Sequence, residues 1–426
     1  MTPEDTFHRL LGLGEAWKVI RTDFELAKNT FVIVVQETAK LWEEESRRVG
    51  WKVSCYDHVE PMQWRHLNVF NKECVIVCAL PRGRYLDEHA SWKGTEKVYR
   101  VTPPWEGKSK HFTQEFEAFA LTLIKEMPVK RAGEILGETD QRLWRMLFMH
   151  VEAAYRKLEM DGVVWVGADE MNRRKGHNYL TVFADLKARR VIFAVEGKDA
   201  KTWEAFVEEL LKHNGHPKAI TQAAIDMSPA YIKGVEDNLG NAEIVFDKYH
   251  VIAQVNEAVE QVRRAEAQAS FLSKALLNKS QWIWRKNPEN WSDSEALRMQ
   301  ALEKEGLLTA QAYQMRLALQ GIYDAAGKVE ARRRFQDWCK WVQEKCNQES
   351  SGLLQPMRKA AAMVQNHLEG ILGHWKERLT TAFMEGLNSL FSATKRKARG
   401  YKSIRYMIAM LYFVAGKLNI PSSITH

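Results

Sequence analysis

The sequence predicts a multidomain α/β protein, and three observations carry that reading. The 426 residues make roughly two to four domains at about 150 residues each. Residues 161–250 alternate short β-branched runs with amphipathic helical stretches, the pattern of a sheet covered by helices. Residues 251–373 keep a helical period throughout, with few prolines.

Composition narrows the class of partner. Lys plus Arg number 62 against 54 Asp plus Glu, a net charge of +8 that favours an anionic partner such as nucleic acid. Apolar residues at 45% and charged residues at 27% exclude a mainly disordered chain. Five cysteines in this length are not a disulfide framework. The acidic start Met1-Thr-Pro-Glu-Asp5 lacks the order of a signal peptide. The apolar stretch Tyr406–Ala415 falls far short of the roughly 20 residues that span a bilayer. The expectation is a soluble, cytoplasmic chain in a reducing compartment, with no membrane partner.

Residues 1–100 read as a small mixed domain, with β-branched strands at Thr30–Val35 and Cys74–Leu80. Val101-Thr-Pro-Pro-Trp105 closes it, because consecutive prolines stop helix and sheet alike. In residues 101–160, Phe112, Phe116, Phe119, Leu123 and Ile124 recur at helical spacing, and Pro128 breaks that helix. A short helix from Val129 to Leu136 stops at Gly137, and Glu138-Thr-Asp140 caps a longer one, Gln141–Tyr155. That outline, with Arg142 and Arg145 near the start of the longer helix, fits a helix-turn-helix that binds DNA, or a plain helical hairpin.

In residues 161–250, Val163–Ala168 is a buried strand ending in Asp169-Glu170, and Tyr179–Leu186 and Val191–Val195 are the second and third strands. Lys201–His213 is a helix with Trp203, Phe206, Val207, Leu210 and Leu211 on one side. Ala219–Ile225 is a fourth strand ending in Asp226, Ser228-Pro229 opens a helix, and Ile244–Phe246 is a fifth strand ending in Asp247. Residues 251–373 form an all-helical segment with one irregular link, Trp282–Trp291, and residues 374–426 close the chain with helices and a basic stretch.

Strand-strand-strand-helix-strand-helix-strand is the order of the ribonuclease H-like fold, in which the first and fourth strands lie side by side and parallel. Asp169 and Asp226 would then converge at the carboxyl edge of the sheet, where open α/β sheets bind ligands. Two converging carboxylates repel unless a hard cation lies between them, and Mg²⁺ suits carboxylate and phosphate oxygens. A third acid is expected from a helix on the same edge. Glu385 is the choice, with Asn388 on its helical face. Lys395, Arg396, Lys397, Arg399, Lys402 and Arg405 follow with no acid among them, as a phosphate backbone entering the site would require. Each piece also has a plainer reading: a turn-forming Asp, a solvated Glu, an exposed basic face.

The residues together resemble a known family. Gly167-Ala-Asp-Glu170 with Lys175-Gly-His-Asn-Tyr179, Ile225–Val235, Val245-Phe-Asp-Lys-Tyr-His-Val251, and Glu385-Gly-Leu-Asn388 with Lys395–Tyr401 are similar to successive blocks of bacterial insertion-sequence transposases of the ISL3 family, a DDE type. Trp64-Arg-His-Leu67, Thr102-Pro-Pro-Trp105 and Asp140–Arg145 resemble its N-terminal half. The resemblance implies a ribonuclease H-like catalytic core, first part 161–250 and closing part 374–426, interrupted by the helical insertion 251–373. It implies Asp169, Asp226 and Glu385 as a triad holding two Mg²⁺, with Mn²⁺ as a substitute. It implies cleavage of the element's terminal inverted repeats and joining of the 3′-OH to target double-stranded DNA, by a homodimer when two ends are synapsed, in the bacterial cytoplasm at the nucleoid. Asp247 and His250 match a family motif, as ligands or as local hydrogen-bonding groups. An inactive or regulatory DNA-binding relative, or another nuclease of the same fold, are the competing readings.

The family's N-terminal zinc finger is incomplete here. Cys55-Tyr-Asp-His58 is present without a preceding Cys-x-x-Cys, and Tyr85 stands where a later Cys is expected. Cys55, His58 and His89, with His66, are the candidates for a variant zinc site, against a domain that keeps the fold without metal. Cys74 and Cys78 read as small packing residues on one strand face.

Overall fold

The β-branched runs of the first hundred residues fold into two sheets. The structure, a computed structural model, describes residues 2–87, 95–172, 179–377, 382–398 and 400–421; the side chains of 172, 376, 377, 382, 385 and 388 stand outside that description. Two units divide the chain, Met1–Leu158 with Thr394–His426, and Glu159–Ala393.

The first unit opens with α1 (Pro3–Leu10), β1 (Trp17–Glu25), β2 (Thr30–Glu37), α2 (Lys40–Val49), β3 (Ser54–His58), β4 (Met62–Val69), β5 (Lys72–Cys78), β6 (Pro81–Asp87) and β7 (Thr95–Arg100). A four-stranded sheet runs β1-β2-β5-β4 with β2 and β5 parallel, and β3-β6-β7 form an antiparallel sheet. The core is built on indoles: Trp105 lies edge-on to Trp17 at 5.1 Å and to Trp64 at 5.8 Å. Cys74 and Cys78 are buried in that core as small packing residues, and burial pushes both thiols up to about 12.

Three helices follow, α3 (Gln114–Glu126), α4 (Val129–Leu136) and α5 (Asp140–Tyr155). Each start has a physical cause. The Thr113 hydroxyl accepts from Phe116 N to cap α3, Pro128 precedes α4, and the Thr139 hydroxyl accepts from Arg142 N to cap α5. Gly137 ends α4 at φ +74°, a left-handed conformation that disfavours a side chain.

The second unit holds β8 (Trp165–Asn172), β9 (Tyr179–Asp185), β10 (Arg190–Glu196), α6 (Lys201–Lys212), β11 (Gln222–Ile225), α7 (Pro229–Asn238) and β12 (Glu243–Phe246). The sheet order is β10-β9-β8-β11-β12, antiparallel from β10 to β8 and parallel from β8 to β12. The first and fourth strands of this unit are thus neighbours and parallel, as the element order predicts. On one face Phe183 stacks on Phe206 at 4.4 Å and meets Trp203 at 4.9 Å, which fixes α6.

After β12 come α8 (Lys248–Ala269), α9 (Phe271–Leu277), α10 (Asp293–Lys304), α11 (Leu308–Ile322), α12 (Lys328–Gln348), α13 (Gln355–Asn366), α14 (Leu368–Leu372) and α15 (His374–Glu377). Glu266 is buried on α8 and caps α11, accepting from Leu308 N and Thr309 N, both at 2.8 Å. α16 (Ala382–Lys397) returns to the sheet, and α17 (Ile404–Ala415) ends the described helices. Among the described residues no helix is long and apolar enough to cross a membrane.

Candidate active site and nucleic-acid interface

The pairing of β8 with β11 stops at Gly167 opposite Ala224, while β8 continues to Asn172 against β9. Asp169 therefore stands inside β8, not at its end as the sequence suggests, because the β9 hairpin still satisfies the backbone beyond it. Asp226 directly follows β11, and its carboxylate accepts from Ser228 N at 2.9 Å. Strand alternation puts Gly167 and Asp169 on one face, with Ala224 opposite Gly167 and Asp226 two residues beyond it.

Neighbouring groups register both aspartates. Burial pushes the Glu170 carboxyl up, and the negative charges of Asp226 and Asp169 add to that, against Lys198 and His250. The Tyr231 hydroxyl is also pushed up by burial, and Glu170, Asp226 and Asp169 reinforce the rise. The charges of Asp169 and Asp226 thus both act on Glu170 and Tyr231 at this edge of the sheet. Tyr231 bonds Thr181 at 2.8 Å, and Thr181 is the β9 partner of Glu170. Lys198 sits over the Tyr179 ring at 4.1 Å.

The Gly167 face is covered by α16. A Cβ on Gly167 would stand 3.1 Å from Sδ and 3.2 Å from Cγ of Met384. Met384, Leu387 and Phe391 form the buried stripe that seats the helix. Glu385 follows Met384 in the chain; its side chain and that of Asn388 lie outside the described residues. Asp247 caps α8, its carboxylate accepting from Tyr249 N at 2.9 Å, and His250 lies in the first turn of that helix, edge-on to Tyr249.

In the first unit, Glu138 ties the turn between α4 and α5. It holds Arg142 at 2.7 and 2.9 Å, and the Arg142 guanidinium lies over the Phe112 ring at 4.7 Å. Arg145, one turn on, is exposed. Arg65 on β4 anchors the motif to the sheet, donating to Leu136 O at 2.9 Å and to Asn68 Oδ1 at 2.5 Å.

Residues 166–411, more than half of the chain, match the family model described as a transposase, and residues 101–151 match the helix-turn-helix domain of transposase family ISL3. The chain belongs to the ISL3 family of transposases. It is 25% identical to the transposase for insertion sequence element IS1001 of Bordetella parapertussis, over 80% of this chain and 81% of the relative. It is 22% identical to the transposase for insertion sequence element IS1557 of Mycobacterium tuberculosis, over 89% and 88%.

Membership makes α4 and α5 of this transposase parts of a DNA-binding helix-turn-helix, and the chain a DNA-processing enzyme. The basic run falls partly at the end of α16 and partly after it. Lys397 donates to Glu126 O at 3.3 Å, Lys402 pairs with Asp140 at 3.6 Å, Arg396 is exposed, Lys395 is half-buried, and Arg399 lies outside the described residues.

The described zinc candidates each have other contacts. Cys55 and His58 lie on β3, where the Cys55 thiol faces Asp57 O and His58 bonds Glu37 at 2.7 Å. His66 bonds the Thr113 hydroxyl at 2.8 Å, and His89 lies outside the described residues. Among the described residues no three His, Cys, Asp or Glu side chains form a group that could hold a metal ion. Asp169 and Asp226 carry carboxylate oxygens at the sheet edge, the donor type that a hard divalent cation takes. Sequence reasoning missed Glu170, Lys198 and Tyr231. Glu170 had one signal, its place directly after Asp169; the other two are drawn in only by the fold.

Proposed function

We propose that this transposase binds the ends of an insertion sequence, cleaves them and joins the freed 3′-OH to target DNA, with Asp169, Asp226 and Glu385 as the catalytic carboxylates. We read the five-stranded sheet as a ribonuclease H-like core, and residues 251–373 as a helical insertion between β12 and the helix carrying Glu385. The observation that carries the reading is the parallel pairing of β8 with β11, which brings Asp169, two residues past Gly167, and Asp226, two residues past Ala224, to the same edge of the sheet, with α16 seated on the Gly167 face. The relatives named for insertion sequences IS1001 and IS1557 support the same substrate.

Two Mg²⁺ ions, or Mn²⁺ in their place, would lower the pKa of the attacking oxygen and stabilise the leaving 3′-oxygen. Asp169 and Asp226 offer the oxygen donors, and Glu385 completes the set by the family pattern. In the first step a water oxygen bonds to phosphorus and the 3′-oxygen leaves as the terminal hydroxyl. In the second, that hydroxyl attacks a target phosphodiester in line, a 3′-oxygen leaves, and no bond to the protein forms. Arg142 and Arg145, with Lys395, Arg396, Lys397, Arg399 and Lys402, contact the DNA. Two copies bring two ends together. Asp247 and His250 shape the floor of the site beside β11.

The test uses labelled duplexes of the element's ends with Mg²⁺. Asp169→Asn, Asp226→Asn and Glu385→Gln are each expected to bind ends within about twofold of the parent and to lose cleavage by about a thousandfold or more. A variant that still cuts at the normal rate removes its residue from the site. A parent protein that binds and never cuts supports the regulatory reading instead.

A further inference from the structure

The closing segment of the chain is fastened to the helix-turn-helix. Trp144 of α5 meets Tyr406 at 4.7 Å and Tyr401 at 6.4 Å, both edge-on, and Tyr155 lies 4.5 Å from Tyr412. Arg405 sets its guanidinium over Phe148 at 4.4 Å and donates to Glu152 at 2.9 Å. Lys402 reaches Asp140, the first residue of α5, and Lys397 reaches the end of α3. The basic run thus contacts α3 and α5.

These contacts cover the side of α5 that carries Trp144, Phe148 and Tyr155. They leave a second stripe open, with Gln141, Arg145 and Met149 exposed at intervals of one helical turn. Arg145 has no hydrogen-bond or ion-pair partner among the described residues. Cations flank this stripe: Lys402 at the start of α5, Arg405 toward its end, and Lys397 and exposed Arg396 nearby. A helix of 16 residues is about 24 Å long, which the major groove accepts, and phosphates line the groove on both sides. The run Lys395–Lys402 itself contains no acid, and Lys402 and Arg405 are held at the stripe's border by Asp140 and Glu152.

We infer that residues 394–415 are the backbone-gripping half of the DNA-end-binding surface. α5 presents Gln141 and Arg145 to base edges in the major groove, while Arg396, Lys397, Lys402 and Arg405 hold the flanking phosphates of the duplex. The inference rests on the DNA-binding part of the proposed function and not on its carboxylates. It makes α5 and residues 394–415 one recognition unit, in which phosphate contacts set register and Arg145 reads sequence.

The test uses the full-length protein and fluorescence anisotropy of a labelled element-end duplex and a scrambled duplex, over a salt series. The triple variant Arg396→Gln, Lys397→Gln, Lys402→Gln is expected to bind both duplexes more than tenfold more weakly near 0.1 M salt. Its slope of log affinity against log salt should fall by about 0.9 for each lost phosphate contact. Arg145→Gln is expected to lose tenfold or more on the element end and little on the scrambled duplex. Near-ultraviolet dichroism of the Trp144–Tyr406 cluster verifies that each variant is folded. An unchanged salt slope in the triple variant overturns the inference. So does unchanged binding with lost cutting of bound ends, which assigns the run to the carboxylate site. Because binding is read without cleavage, the same measurement in an Asp169→Asn background keeps its meaning even if the carboxylates are misassigned.

Discussion

Gly167 and Met384 are packed so closely that a side chain at 167 would have to push its neighbours aside. A Cβ there would stand 2.8 Å from Leu186 Cδ2 as well as 3.1 Å from Met384 Sδ. The missing side chain is what lets α16 lie on β8, two residues from Asp169. Gly167→Ala is expected to cost about 1–3 kcal/mol of stability through overpacking. By displacing α16 it should also slow end cleavage about tenfold or more, since small misplacements of catalytic groups are costly. End binding should be unchanged. Urea titration, anisotropy and a cleavage assay measure the three separately. Normal cleavage by a protein of normal stability would show that this contact does not set the position of α16.

Local chemistry made much of this fold legible. Pro128, Gly137 and Thr139 mark the helix boundaries of the helix-turn-helix in the sequence, and each performs the backbone role its type suggests. The β-branched runs at 30–35 and 74–80 became β2 and β5 for the same reason. What stayed hidden depends on pairing at long range. Nothing local says that β8 runs past Asp169, because that extension is paid out by β9 across a hairpin. Nothing local says that Lys397 and Lys402 meet α3 and α5 either, since the contacts join residues more than two hundred positions apart. Glu170 was visible beside Asp169, but its burial and its sensitivity to Asp226 needed the sheet order.

Arg65 is the joint between the first sheet and the DNA-binding helices. It is buried, lies over the Phe116 ring at 5.3 Å, and donates to Cys74 O, Asn68 and Leu136 O. Glu138, also buried, stands 3.9 Å from its Nε. Arg65→Met removes the charge beside that carboxylate and leaves the Leu136 carbonyl without this donor. The expected loss is about 3–5 kcal/mol in urea unfolding, as for a buried ion pair cut on one side. Arg65→Lys keeps the charge but not the fork that serves several acceptors, and should lose about 1–3 kcal/mol. Equal stability of Arg65→Lys and the parent would show that charge alone is what the joint requires.

Glu117 gives the first unit a pH dependence whose sign can be worked out. Burial acts to raise its carboxyl, but hydrogen bonds from His150 and Ser109 outweigh burial and hold it below the usual value of 4.5. The His150 ring stands 2.7 Å away, and Lys108 N and Ser109 N each donate at 2.8 Å. A carboxyl lowered by folding contributes stability that is present above its unfolded pKa and lost as pH falls through the folded one. Glu117→Gln is therefore expected to cost about 1–3 kcal/mol near pH 7, where the charge-assisted bonds are intact. As pH falls below 4.5 and through the lowered folded value, the parent loses the same contribution by protonation, so the gap between the two proteins should narrow steadily and close. Urea unfolding across this range measures it. A gap of constant size would mean that the bonds to His150 and Ser109 do not favour the charged carboxylate, and that Glu117 holds α3 by shape alone.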